Sequence, residues 1–403
     1  MQDSPEISVV IPCLNEEEAV GEVVDLAFEG IRRSGRAGEV IVVDNGSTDR
    51  SAAIAAEHGA IVVAEPIRGY GSAYLTGLEY ARGRFVVMAD ADGSYPLEQL
   101  PLFVERLENG ADLAIGSRFQ GEIHRGAMPW SNRYLGNPLL TGLLNVLFGV
   151  KVSDAHCGMR ALRRDVVPVL DLHSTGMEFA SEMVFKAFRR GLTVREVPID
   201  YLPRAGESKL NRFGDAWRHV RFMLLYSPSW LYLLPGGVLL LLGLSGMIVL
   251  AAGPVDIFGR TWQIHTMLGF VALTLIGAQV VQLGIFARTY ALTHAGEHDP
   301  LLERLGRYAT LERGVLFGLA LVLTGAAILG AIVVPWAVGG FGELAHEYPT
   351  ALALTLLGLG VQIVFSSFFV GLLTMRVSER QRARVLDTTP GAEEHEPAAT
   401  RIS

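Results

Sequence analysis

Asp90 and Asp92, with only Ala91 between them, follow the short apolar run Phe85–Met88. Gly83 precedes that run and Gly93 follows the acidic pair. Such a run reads as a buried parallel strand whose end opens into a loop. Two carboxylates so close at a strand end repel each other and make poor structural material. A hard divalent cation resolves the repulsion, because Mg2+ or Mn2+ takes carboxylate oxygens and keeps coordination positions for phosphate oxygens. The plainer alternative is a solvated acidic turn capping the helix that begins near Pro96.

The elements around this pair favour the first reading. Apolar runs predict strands at 7–11, 40–43, 61–64, 85–88 and 113–115. Asn15 reads as the N-cap of a helix reaching about residue 34. An alanine-rich helix through Ala56 and another from about 70 to Ala81 fill later gaps. Strands and helices alternating at this spacing predict an α/β fold with a doubly wound, mostly parallel sheet. Ligands in such sheets sit beyond the carboxyl ends of the strands. Segments 12–16, 44–49, 68–71 and 90–92 all fall at that edge. A dinucleotide-binding domain would need G-x-G-x-x-G in its first turn, where this chain has PCLNEEE.

Composition divides the chain. Its 403 residues carry a net charge of −8, which argues against nucleic acid as a partner. Cys13 and Cys157 have no metal-ligand spacing and read as reduced thiols. No signal peptide is expected, since the first apolar run is short and leads into Pro12 and three glutamates. The mean hydropathy of +0.33 comes from the second half. Four segments without charge stand at 231–252, 266–287, 314–334 and 350–375. The shortest would span about 32 Å as a helix, enough for a bilayer core. Arg288, Arg304, Arg307 and Arg313 lie between the second and third segments, and Arg376, Arg380, Arg382 and Arg384 follow the fourth. By the positive-inside rule these regions and the first half are cytoplasmic.

Before the first span, Leu210, Phe213, Trp217, Val220 and Leu224 recur at helical spacing, with Arg212, Arg218, His219 and Arg221 mostly off that stripe. A basic amphipathic helix with Trp suits a headgroup region. The expected organisation is a cytoplasmic catalytic domain (1–207), an interfacial helix (208–228), a membrane domain (229–376) and a polar, disordered tail (377–403).

The segments IPCLNEEE, VVDNGSTD, RGYGSAYLTGL, DADGSYP, IGSRF and SDAHCGMR, in this order, resemble glycosyltransferase family 2 with a GT-A fold. With its membrane segments the chain is similar to the polyprenyl-phosphate (dolichyl-phosphate) hexose synthases. The resemblance covers about residues 7–225. It implies that Pro12, Leu14, Glu16, Asp44 and Arg68 surround a nucleotide, with Asp44 on the base. Asp90 and Ala91 would lie near the ribose and diphosphate, and Asp92, with Asp90 beside it, would hold the metal. Arg118, Arg133 and Arg204 match positions that cradle the lipid phosphate, a role suited to a planar, bidentate guanidinium. Asp154 matches an acidic residue near the reacting centre. A phosphate acceptor is mostly deprotonated already, its second pKa being about 6, so Asp154 is expected to orient a substrate as much as to take a proton. Glu178 and Glu182 read as structural, and His156 and His173 as packed or solvated. The chain departs from the family pattern at Asn45, where a second aspartate is frequent, and at Ser94, where some members have a metal-binding glutamine.

The function implied is inverting transfer of a hexose from a nucleotide sugar, UDP-glucose or GDP-mannose with glucose favoured, to a membrane polyprenyl phosphate. A processive polysaccharide synthase would carry Q-x-x-R-W, which is absent. A transporter would place ionisable residues inside its spans. An inactive scaffold would have no use for the full set of charged site residues. A homo-oligomer is compatible with all of this.

Overall fold

The computed structural model describes residues 4–206, 212–257, 259–295, 310–342 and 346–387. The chain divides into two compact units, Met1–Ser227 and Pro228–Ser403.

The first unit alternates strands and helices. In order these are β1 (Ile7–Cys13), α1 (Val20–Arg33), β2 (Gly38–Asp44), α2 (Ser51–Glu57), β3 (Ile61–Ala64), α3 (Tyr70–Tyr80), β4 (Phe85–Met88), α4 (Leu100–Glu108) and β5 (Leu113–Ser117). After them come α5 (Asn137–Phe148), β6 (Arg160–Arg163), α6 (Val167–Leu170), α7 (Phe179–Arg189), β7 (Val194–Pro198) and α8 (Arg212–Leu225). The seven strands make one sheet in the order β3-β2-β1-β4-β6-β5-β7. β1 is an inner strand and pairs in parallel with both β2 and β4, Val10 lying opposite Ile41 and Met88. Its apolar residues are all buried, as expected for a strand covered on both faces.

Two features differ from the expectations. β6 runs antiparallel between β4 and β5, so the sheet is mixed though mostly parallel. Neither β6 nor β7 stood out, because RALR and VREVP carry too much charge to read as buried strands. Asn15 does not cap α1. It adopts φ 53°, and its Oδ1 accepts from the Thr48 N–H at 2.7 Å. The loop continues to Ala19, the residue before the helix, because 14–17 is tied to the 47–51 loop: Ser47 and Ser51 hydroxyls accept from the Asn15 and Glu16 N–H groups.

Among its described residues, the second unit contains four helices long and apolar enough to cross a membrane: Ser229–Leu250, Ile264–Leu292, Leu311–Val338 and Glu347–Thr374. Close packing among them uses small residues. A Cβ on Gly277 would lie 2.4 Å from the Leu240 nitrogen, and one on Gly360 would lie 2.6 Å from the Gly318 oxygen. A two-stranded hairpin, Val255–Ile257 with Arg260–Trp262, joins the first two helices. The last helix continues to Asp387, into the region expected to be a polar tail. Lys209, Leu210, Arg304, Arg307 and 388–403 lie outside the described residues.

Candidate active site

The carboxyl ends of β1 and β4 open onto a cavity of about 300 Å³. Of the residues singled out from sequence, Pro12, Leu14, Glu16, Asp90, Ala91, Asp92, Arg118 and Arg204 line it. Asp44, Arg68, Asp154 and Arg133 do not.

The acidic pair is tightly held. Asp92 is buried, and its Oδ1 accepts from the Ser94 N–H at 3.0 Å and the Ser94 hydroxyl at 2.6 Å. Its Oδ2 faces Arg204 Nη2 at 3.5 Å, and the same nitrogen lies 3.7 Å from Glu16. Backbone bonds from Leu202 to Ser94 and from Ala205 to Asp92 hold that arginine's segment in place. Asp90 receives the Tyr70 hydroxyl at 3.1 Å. Its other oxygen packs so closely on Gly158 that a Cβ there would lie 2.6 Å away, so only glycine fits. Burial first, then the neighbouring Asp92, pushes the Asp90 carboxyl up to about 7. A divalent cation at this pair would offset both effects. The donors suit a hard ion. Among the described residues no three His, Cys, Asp or Glu side chains could hold a metal, so an ion here would take part of its shell from phosphate oxygens or water.

Arg118 and Asp154, separated by 36 residues in sequence, form one buried ion pair. Arg118 Nε and Nη2 donate to the two carboxylate oxygens at 2.7 and 2.9 Å. The guanidinium also lies over the Tyr201 ring, 5.1 Å from its centroid. Asp154 raises the Arg118 pKa further above its usual range, against the opposing effect of burial. Asp154 is fully buried, and it also accepts from the Arg118 and His156 N–H groups.

The remaining predicted residues take other places. Asp44 ends β2, and its Oδ1 accepts from the Ser47 N–H. Arg68 is exposed and donates to the Gly46 carbonyl at 3.3 Å. Arg133 lies in the π-helical stretch Asn132–Gly136 that runs into α5, its guanidinium over Tyr134, among the exposed side chains Trp130, Tyr134 and Leu135. The two departures from the family pattern have structural uses. Asn45 donates to the Glu65 and Ile67 carbonyls and accepts from the Gly69 N–H, which a carboxylate could not do. Ser94 anchors Asp92. Glu182 is buried, accepts from the His173 and Ser174 N–H groups and pairs with Lys186.

Sequence reasoning missed one part of the wall. His156 and His219 line the cavity with Gly158, Met177 and Ala180. Ser181 Oγ lies 3.2 Å from His156 Nε2 and 2.9 Å from His219 Nδ1. The only signal for His156 was its place two residues after Asp154. Arg160 is almost fully buried and donates to the carbonyls of Ala155, Cys157 and Ala180, which fastens this loop to α7.

Comparison with known proteins gives a consistent result. A family model described as glycosyl transferase family 2 matches residues 8–170. A second, described as the glycosyltransferase family 2 C-terminal transmembrane region, matches 285–374. A low-salt glycan biosynthesis hexosyltransferase of Haloferax volcanii is 41% identical over 92% of this chain and 89% of its own length. A dolichyl-phosphate hexose transferase of the same organism is 38% identical over 52% of this chain and 88% of its own. A polyprenol monophosphomannose synthase of Mycolicibacterium smegmatis is 33% identical over 50% of this chain and 80% of its own.

Proposed function

The chain belongs to glycosyltransferase family 2, and on that premise we propose that this membrane protein moves a hexose from a nucleotide diphosphate sugar to the phosphate of a polyprenol. The observation that carries the reading is the charge layout of the cleft. Paired carboxylates, Asp90 and Asp92, share one cavity with the cations Arg118 and Arg204, so a metal-bound diphosphate and a second phosphate find complementary partners in the same space. The names of the two relatives that match about half of this chain, a dolichyl-phosphate hexose transferase and a polyprenol monophosphomannose synthase, support the acceptor.

In this reading the nucleotide lies along Pro12, Leu14 and Glu16, with Asp44 on the base and Arg68 at the neighbouring loop end. Asp92, with Asp90 and Ala91 beside it, would hold Mg2+ or Mn2+, which would supply positive charge to offset that of the departing diphosphate. An acceptor phosphate oxygen attacks the anomeric carbon while the bond to the diphosphate breaks, its electrons leaving with the diphosphate. The anomeric configuration inverts, giving a β-linked product from an α-linked donor. Because the acceptor is already mostly ionised, no general base is required. Asp154, with both oxygens on Arg118, keeps that guanidinium aimed and charged. Arg204 and Arg118 take the acceptor phosphate in the cleft, and Arg133 meets it near the exposed aromatic side chains.

The test is incubation of the purified protein with polyprenyl phosphate and, in separate reactions, radiolabelled UDP-glucose, UDP-galactose and GDP-mannose. The reading predicts label in the organic phase from one donor, dependent on added polyprenyl phosphate and abolished by EDTA. Label that accumulates instead in a high-molecular-weight polymer would mean chain elongation.

A further inference from the structure

We propose that His156 reads a hydroxyl of the transferred sugar, with its ring set by Ser181 and, through Ser181, by His219 of α8. This deepens the glycosyl-transfer reading and rests on it. Three observations converge on His156. The ring lines the same cavity as Asp90 and Asp92. Its Nδ1 is buried and has no hydrogen-bond partner, a cost to the folded chain that a ligand would remove. The ring is also fixed in place. Its Nε2 meets Ser181 Oγ, and its plane stands at 86° to that of His219, with centroids 4.7 Å apart.

The arrangement constrains the protons. The Ser181 hydroxyl has one hydrogen and can donate to only one imidazole at a time, so the other imidazole donates to its oxygen. His156 Nδ1 therefore presents an N–H when Nε2 accepts and a lone pair when Nε2 donates. A sugar hydroxyl both donates and accepts, and it matches either state. A phosphate would be served better by the guanidinium groups of Arg118 and Arg204 in the same cavity. Burial, then the proximity of His219, Arg160 and Arg118, holds the His156 pKa well below its usual range, which keeps the ring neutral and suited to a neutral partner. His219 itself is buried. It stands on the last helix of the first unit, so the wall of the sugar subsite is completed by the segment that leads in sequence into the membrane helices.

The experiment measures binding by calorimetry to wild type and His156→Ala, with UDP, GDP, UDP-glucose, UDP-galactose, GDP-mannose and the 2-, 3-, 4- and 6-deoxy forms of whichever nucleotide sugar the wild type binds. The subsite predicts that the variant keeps its affinity for the nucleoside diphosphate within about twofold and loses at least about tenfold for the intact nucleotide sugar. It further predicts that one deoxy form, penalised at least about tenfold by the wild type, is not penalised by the variant. His156→Phe, which keeps the ring volume, should behave likewise and guards against a folding defect in the alanine variant. Ser181→Ala should weaken discrimination against that same deoxy form. Equal deoxy penalties in wild type and both His156 variants would overturn the subsite while leaving glycosyl transfer intact. A wild type that binds none of the nucleotide sugars would overturn both.

Discussion

Asp92 and Asp154 are both buried aspartates, yet the loss of each should read out differently. Asp92 takes two hydrogen bonds from Ser94 and faces Arg204 at 3.5 Å. Asp92→Asn keeps the hydrogen-bond acceptor and removes the charge needed for a cation. The fold should survive while turnover falls at least about a hundredfold, about 2.7 kcal/mol of barrier. Comparable turnover by wild type and variant at saturating Mn2+ would contradict the metal assignment. Asp154→Ala should instead destabilise the first unit by about 3–5 kcal/mol, because it leaves the Arg118 guanidinium buried without its partner. A chemical denaturation midpoint unchanged from wild type would show that the pair is not a structural unit. At this scale the sequence was legible for types and less so for partnerships. Arg118 and Asp154 stood out separately because 36 residues divide them, and nothing in either motif announced that their fork and carboxylate would close on each other. His156 reads from sequence as packed or solvated because a lone histidine carries no ligand pattern.

Strands with continuous apolar runs were the most legible elements, the buried β4 and the half-exposed edge strand β3 alike. β3 and β4 fall where their apolar runs end, and β1 and β2 extend only two residues or fewer beyond theirs at either end. β6 was invisible because two of its four residues are arginines, and one of them, Arg160, is buried among backbone carbonyls that no local pattern reveals. The sequence of α8 predicts an apolar stripe through Trp217, Val220 and Leu224. Its described side chains divide otherwise. His219 and Met223 are buried in the first unit, whereas Trp217 is 59% exposed and Leu225 61%, with Arg218 and Arg221 also exposed. The helix α5, which packs against α8, leaves Leu139 and Val146 exposed, as the helical segment leading into it does Trp130 and Tyr134. Exposed aromatic and aliphatic side chains beside basic ones suit a headgroup region. Trp217→Glu and Trp130→Glu should each leave nucleotide binding intact and lower transfer to a long-chain polyprenyl phosphate several-fold. Transfer to a short, water-soluble isoprenyl phosphate should change much less. Equal losses with both acceptors would remove these side chains from the membrane surface.

For the whole chain, the two units separate where composition changes, at Pro228. The membrane helices were readable because twenty or so apolar residues without charge have few other uses in a protein. Their ends were less readable, since apolar helices continue past the charges that bound them in sequence. Arg288 falls within the helical stretch Ile264–Leu292 and Arg313 within Leu311–Val338. If the four helices all cross, both chain ends would lie on one side, and we propose from the arginines between the second and third helices that this side is the cytoplasm. A fluorescent protein fused to the C-terminus should therefore fold and fluoresce inside intact cells, whereas a periplasmic or luminal activity reporter at the same point should stay silent. The opposite pattern would invert the topology and place the cleft away from cytoplasmic nucleotide sugars.

The central claim is that a bare hexose, and not a hexose phosphate, passes from nucleotide to lipid. The most direct measurement uses a nucleotide sugar labelled with one isotope in the sugar and another in the phosphate next to it. After reaction with polyprenyl phosphate, the extracted lipid should carry the sugar label alone, with the phosphate label recovered in the nucleoside diphosphate. A lipid carrying both labels, or neither, would contradict the account.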